Sequence, residues 1–176
     1  MLTVTASHLI AATGSTLTRP ANTTAYSAND SVSDNGTAGS VTANTVTISD
    51  LNGNPVALTR VRLATTDTGP ATAGATFEMW LFRSDPTANS GVGGGDNAAY
   101  SQKQAGFVGR LSGTFPSGFS DGSVAVLTPV EGTVSIANAG DGALTLWWQL
   151  RTLTAFTPSA NSTTFIPTFE GIQGRA

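Results

Sequence analysis

Alternating apolar and polar residues run through most of the chain and predict β-strands. At the start, Leu2, Val4 and Ile10 share one parity, while threonine and serine occupy the other. This is typical of a strand with one buried face. Similar patterns mark residues 41–48, 56–66, 106–112, 123–130, 133–138, 143–156 and 163–172, with a short extended piece in 23–32.

The segment 56–66 departs from simple alternation, because the apolar parity changes between Leu58 and Val61. Two consecutive residues must then lie on one side of the strand near positions 59–60. A β-bulge produces this arrangement.

Residues 76–83 are apolar on both parities except at Glu78, which predicts a central strand covered on both faces. A desolvated carboxylate in such a strand needs a cationic partner. We expect that partner to be an arginine of a neighbouring strand, and the candidates are Arg60, Arg62, Arg110 and Arg151.

Nine or ten short strands separated by Gly, Asn, Asp or Pro predict an all-β fold. The expected architecture is an antiparallel β-sandwich or jelly roll, formed by residues 1–176 as a single domain, with 1–20 as a candidate extended N-terminal segment. At most one short helix is expected, at 97–104, with Asp96 as its N-terminal cap. Pro167 favours an edge position or a bulge for the last strand.

Charge and composition remove several classes of function. Charged residues make up 11% of the chain against a usual ~25%, the net charge is −3, and Lys103 is the only lysine. Without a basic cluster we expect no nucleic-acid partner. The absence of cysteine excludes disulfides and thiolate sites, and no apolar run reaches the length of a membrane span, so no membrane partner is expected.

Candidate catalytic chemistry is sparse, and we expect no enzyme activity, cofactor or metal. His8 is the only histidine, and no G-x-S-x-G motif accompanies it. Glu78 is the glutamate most suited to a glycosidase acid, although an ion pair is the favoured interpretation. The stretch 91–96 (GVGGGD) lacks the ending of a phosphate loop, and the acidic and amide residues of 50–54 are typical of a turn rather than a calcium site.

Aromatic residues suggest a binding alternative. We expect Tyr26, Tyr100 and Trp147 at the surface, where they would stack on a sugar or anchor a protein interface. Trp148, on the opposite parity to Trp147, is predicted to be core.

Three stretches together resemble a family of small virion proteins encoded by tailed bacteriophages. They are 18–30 (TRPANTTAYSAND), 80–87 (WLFRSDPT) and 96–100 (DNAAY), in this order along the chain. Similarity covers roughly the first 110 residues. The chain differs from the family pattern in Ser31-Val32-Ser33 and in its glycine-rich insertion before Asp96.

This resemblance implies a non-enzymatic capsid decoration, or cement, protein on the outside of the virion. Its expected partners are the major capsid protein and further copies of itself, as a trimer or dimer. The alternatives are a tail or fibre component, or a carbohydrate-binding module for a host glycan. The candidate interface residues are Leu2, Val4, Ile10, Arg19, Tyr26 and Trp147.

Overall fold

The computed structural model describes residues 7–87, 94–101, 104–116, 118–137 and 141–174. Eleven antiparallel strands form one strongly curled, half-barrel sheet, and the short helix α1 spans Gly69–Ala73. The strands are β1 Ser7–Thr13, β2 Leu17–Thr18, β3 Ser31–Val32, β4 Asn44–Asn52, β5 Val56–Thr65, β6 Thr76–Phe82, β7 Phe107–Thr114, β8 Ser123–Pro129, β9 Val134–Ile136, β10 Asp141–Thr152 and β11 Thr164–Gly174. The all-β, single-domain expectation is confirmed.

Strand order explains how one sheet encloses a core. The order is β1-β11-β5-β8-β7-β6-β10-β3, with β2 beside β11, β9 beside β5 and β4 beside β10. The sheet has two halves, one around β1, β11, β5 and β8 and the other around β7, β6, β10 and β3. Where they join, β7 and β8 share only two residue pairs. A Cβ added to Gly113 of β7 would lie 2.2 Å from the carbonyl oxygen of Val126, so glycine permits the close approach at this corner.

The core lies inside the curl and follows the predicted parities. In β10, Leu144, Leu146, Trp148 and Leu150 are all buried. The predicted β-bulge is confirmed: Glu170 pairs with Arg60, whereas the next residue, Gly171, pairs with Leu58. Thr59 is therefore the extra residue, and the apolar positions on both sides of it point into the core.

Strand β6 confirms the prediction of a central strand. It lies between β10 and β7, and every residue from Phe77 to Phe82 is buried. By contrast, the extended piece predicted in 23–32 contains only the two-residue strand β3 and two isolated bridges, from Tyr26 to Phe156 and from Asp30 to Ala99.

The helix predicted at 97–104 is wrong over its described residues. Asn97 has a left-handed φ of 60°, and Ala99 forms a β-bridge with Asp30. The carboxylate of Asp96 is engaged by side chains and a backbone amide elsewhere, so it does not cap a helix. Instead α1 forms at Gly69–Ala73, where Pro70 stands in the first turn and Gly74 ends the helix in the left-handed region.

Pro167 does not lie on an edge strand or at the bulge, which corrects the prediction. Strand β11 runs between β1 and β5, and Pro167 pairs with Leu63. Its carbonyl accepts from the Gly14 amide at 2.9 Å, directly beyond the last β1 pair. A residue's N–H and C=O point to the same side of an antiparallel strand. The nitrogen of Pro167, which has no hydrogen to donate, therefore faces the position where β1 ends.

No helix of the described ranges has both the length and the apolar character of a membrane-spanning segment.

Candidate functional site: two buried polar clusters and one outer sheet face

The first polar cluster, Arg19–Tyr26–Asp96, lies wholly inside the protein. The Tyr26 hydroxyl accepts from Arg19 Nε and donates to Asp96 Oδ1 at 2.5 Å. Arg19 Nη2 lies 3.5 Å from Asp96 Oδ2, and the two side chains are 0% and 1% exposed. Burial raises the pKa of the Tyr26 hydroxyl, and the neighbouring Asp96 charge raises it further.

This cluster joins segments that are distant in sequence. Asp96 Oδ1 also accepts from the Ser33 amide at 3.1 Å, and the Asp96 amide donates to the Asn35 carbonyl at 2.7 Å. Next to Asp96, a Cβ added to Gly95 would lie 2.1 Å from the carbonyl oxygen of Gly36. Gly95 thus allows the backbone at Gly36 to approach closely. The hydrogen bond from Tyr26 to Asp96 joins the motif segments 18–30 and 96–100.

The second polar cluster surrounds Glu78 of β6. Its Oε2 accepts from Arg151 Nε at 2.7 Å and from Trp80 Nε1 at 2.6 Å, and its Oε1 lies 3.3 Å from Arg110 Nη1. Arg151 and Arg110 are on the flanking strands β10 and β7. The expected arginine partners are confirmed, and Arg60 and Arg62 belong to a different cluster.

Aromatic rings cover the second cluster. Arg151 lies over the rings of Trp80 and Tyr100, 5.3 and 5.7 Å from their centroids. The Tyr100 hydroxyl donates to Gln149 Oε1 at 3.0 Å, and burial raises the pKa of Tyr100. Because two arginines and an indole N–H hold the Glu78 carboxylate under this cover, its geometry is that of a structural ion pair.

Glu78→Gln is expected to reduce the free energy of unfolding by about 2–3 kcal/mol, because it leaves the largely buried Arg151 without its counter-charge. Glu131→Gln is the matched control: Glu131 also pairs with Arg110, but its side chain is 62% exposed. Its loss should cost less than about 1 kcal/mol. Denaturant unfolding of both variants measures the difference, and equal effects would contradict a structural role for the Glu78 pair.

The outer face of β1, β11, β5 and β8 differs from both clusters, since it combines exposed aliphatic and ionic side chains. We call it the aliphatic face. Leu9 pairs with Ile172, Arg62 pairs with Val126, and Ile166 lies on the same side of β11. These four aliphatic residues are 78%, 40%, 48% and 36% exposed in the order Leu9, Ile172, Val126, Ile166.

One carboxylate and two guanidinium groups occupy the middle of the aliphatic face. Glu170 Oε2 lies 2.5 Å from Arg60 Nε, and Glu170 Oε1 lies 2.6 Å from Arg62 Nε. The hydrogen bond from Arg60 is the main cause of a lowered Glu170 pKa. An open groove of about 420 Å³ is lined by Leu9, Ile172 and the bulge residue Thr59, among others.

The predicted interface residues are scattered by the structure. Leu2 and Val4 lie outside the described residues, and Ile10 is buried facing the core, whereas its neighbour Leu9 is exposed. Arg19 and Tyr26 are both 2% exposed and meet in the first cluster. Trp147 is partly exposed and pairs with Phe82.

The interpretation of Tyr26 and Tyr100 as surface residues is wrong, because both are buried. Sequence reasoning also missed the role of Asp96 and the pairing of Glu170 with two arginines. The only sequence signal for Asp96 was its place in the DNAAY motif, and the bulge at 59–60 was the only indication that Arg60 faces outward.

The acidic and amide residues of 50–54 form the expected turn. Asn52 and Asn54 form a turn in which the Asn52 side chain accepts from the Asn54 amide and both side chains donate to the Gly174 carbonyl. In the described part of the chain, no three His, Cys, Asp or Glu side chains gather closely enough to hold a metal ion. Most of the 91–96 stretch lies outside the described residues.

Comparison with known proteins adds no relative to this picture. No protein-family model matches the sequence, and no curated protein has significant similarity to it. The two buried clusters and the aliphatic face are therefore the features of the molecule that bear on its function.

Proposed function

We propose that this protein is a non-enzymatic capsid decoration protein of a tailed bacteriophage, which binds the outside of the major capsid protein shell and stabilises it. The observation that carries the proposal is the low charge of the exterior. Charged residues make up only 11% of the chain, and Arg19, Asp67, Glu78, Asp96 and Arg151 are buried. The exterior is as poor in charge as the composition indicates.

A weakly charged exterior suits a protein that is covered by neighbours. Soluble monomers usually carry ~25–35% ionic residues on their surface. Neutral threonine-rich strands cost less to desolvate than charged ones. Many identical sites on a shell would then multiply a weak contact into stable attachment.

The fold and the resemblance support the same function. The three segments that resemble the virion proteins supply residues of the buried clusters, namely Arg19, Tyr26, Trp80, Asp96 and Tyr100. The residues behind the resemblance therefore stabilise the fold. We assign the two facing halves of the curled sheet to a β-sandwich of jelly-roll type. The proposed assembly is a trimer or dimer on the capsid exterior.

The carbohydrate-binding alternative is less well supported, because two of its three aromatic residues, Tyr26 and Tyr100, are buried. Trp147 remains partly exposed, but it packs against the cluster formed by Trp80, Phe82 and Tyr100. A tail or fibre component is distinguished from a decoration protein by its copy number.

Deleting the gene from the phage genome tests the proposal. We expect particles that assemble but lose their DNA at lower temperature or milder osmotic shock than wild-type particles. Gel densitometry of wild-type virions should give hundreds of copies, since a shell offers that many sites. Deletion particles as stable as the wild type, or only tens of copies per virion, would overturn it.

A further inference from the structure

We infer that the aliphatic face is the surface by which this protein docks onto the shell, and that its partner there is a protein surface presenting a carboxylate among apolar side chains. This inference rests on the proposed function, which it extends by naming the face and the chemistry of the partner.

Hydrophobic exposure is concentrated on this face. Seven large hydrophobic residues are exposed among the described residues, and four of them are Leu9, Val126, Ile166 and Ile172. The strand register places these four on one side of the sheet, on β1, β11 and β8, with β5 between the last two. At the usual strand spacing and rise, the face spans about 15 Å by 20 Å, and the aliphatic residues lie around the Arg60, Arg62 and Glu170 group.

The ionic groups on the face determine what kind of partner fits. Arg60 and Arg62 share the single carboxylate of Glu170, so the group carries one excess positive charge on a chain of net charge −3. Each arginine contacts Glu170 through Nε, and the two side chains are 54% and 56% exposed. A guanidinium has five N–H donors, so donors remain for a second carboxylate in a bidentate contact.

A second copy of the chain fits this face poorly. Two-fold packing of the face on itself would bring the excess positive charge of one molecule opposite that of the other. Arginine is enriched and lysine depleted in protein interfaces, and the cations of this face are both arginines. A different protein with a complementary carboxylate therefore satisfies both the apolar and the ionic groups.

The area of the face agrees with attachment at many sites. About 300 Å² is well below the ~800 Å² that each partner buries in a stable pairwise complex. A single contact would be weak, and attachment would depend on repetition over the shell.

Particles purified from the gene-deletion phage provide the probe. Purified protein is added back, the particles are sedimented, and bound protein is measured as a function of concentration. The face variants are Leu9→Asp and Arg62→Glu. The matched controls are Thr47→Asp and Arg83→Glu, which make the same kind of charge change at exposed positions away from the aliphatic face, in β4 and directly after β6.

We expect wild-type protein and both controls to bind alike, and each face variant to lose at least tenfold in affinity. The loss of the exposed Arg62–Glu170 pair should lower the melting temperature by no more than about 5 °C, so the variants stay folded in the assay. Raised salt should weaken wild-type binding, because it screens the arginine contacts. Face variants that bind as well as the controls would overturn the inference and leave the proposed function standing.

Two other outcomes also decide the question. If wild-type protein fails to bind the particles, the proposed function falls, and the docking face falls with it. If sedimentation of free protein shows an oligomer that Leu9→Asp dissociates, while particle binding is unchanged, the face is a self-interface and the inference is wrong.

Discussion

Asp96→Ala is expected to reduce the free energy of unfolding by about 3–5 kcal/mol, because it leaves the Arg19 guanidinium buried without a counter-charge. The Asp96 carboxylate also accepts from the Tyr26 hydroxyl and the Ser33 amide, and both donors would lose their partner. For a domain with a typical stability of ~5–15 kcal/mol, this is a large fraction of the total. Denaturant unfolding followed by far-ultraviolet circular dichroism measures the loss.

Two further variants show whether the loss comes from the ion pair. Asp121 is an exposed aspartate, and Asp121→Ala should change stability by less than about 0.5 kcal/mol. The double variant Arg19→Met with Asp96→Ala removes both charges, so it should be less destabilised than the sum of the single variants. Strict additivity, or a loss below 1 kcal/mol for Asp96→Ala alone, would contradict the buried pair.

The strands were predictable because side-chain parity is a local property. Residues two positions apart share a face, so a run of five or six residues reveals the buried side. The same reasoning located the bulge near Thr59, since a change of parity between Leu58 and Val61 requires an extra residue. It also predicted that Glu78, isolated in an apolar strand, pairs with arginines of adjacent strands.

The first buried cluster was not predictable by this means, because its members come from distant parts of the chain. Arg19 and Asp96 are 77 positions apart. An aspartate before Asn-Ala-Ala is locally as suitable for a helix cap as it is for a buried hydrogen-bond acceptor. Tertiary contacts decided between them, and the same contacts buried Tyr26, which its polar neighbours had indicated to be exposed.

The curl of the sheet and the aliphatic face depend on packing between strands. Alternation puts Ile10 on the apolar side of its strand, and Ile10 was named as a candidate interface residue, whereas the structure buries it in the core. Alternation also does not say whether the outer residue Leu9 meets solvent or a second layer. Leu9 meets solvent, since it pairs with Ile172 on the outer side of the sheet and both residues are exposed. Likewise, the corner between β7 and β8 depends on the approach of Gly113 to the Val126 carbonyl, which no local pattern records.

Both tyrosines are expected to stay protonated in the folded protein well above pH 10, and to ionise only when it unfolds. Tyr26 and Tyr100 are the only tyrosines of the chain. Burial is the largest cause of the raised pKa of each, and the carboxylates of Asp96 and Glu78 also raise them, respectively. An unfolded chain has tyrosine pKa values near ~10.

The sign of the pH dependence follows from these shifts. Because the folded pKa lies above the unfolded pKa, the unfolded state loses protons first as pH rises, and the folded state is then disfavoured. The stabilising effect is complete below pH ~10 and is lost progressively above it. Two tyrosines together give a slope of about −2.7 kcal/mol per pH unit, which is twice the ~1.4 kcal/mol for one proton.

An alkaline titration that follows tyrosinate absorbance and circular dichroism together tests this. We expect tyrosinate to appear only with loss of the β signal, in one transition, whereas a tyrosine peptide titrates near pH ~10. Tyr100→Phe is the discriminating variant, because it should halve the slope of stability against pH. Tyrosinate formed near pH 10 in protein that keeps its β signal would mean that the hydroxyl groups reach water. In that case the clusters at Arg19 and Glu78 would not be closed, and the charges assigned to the interior would belong to the surface.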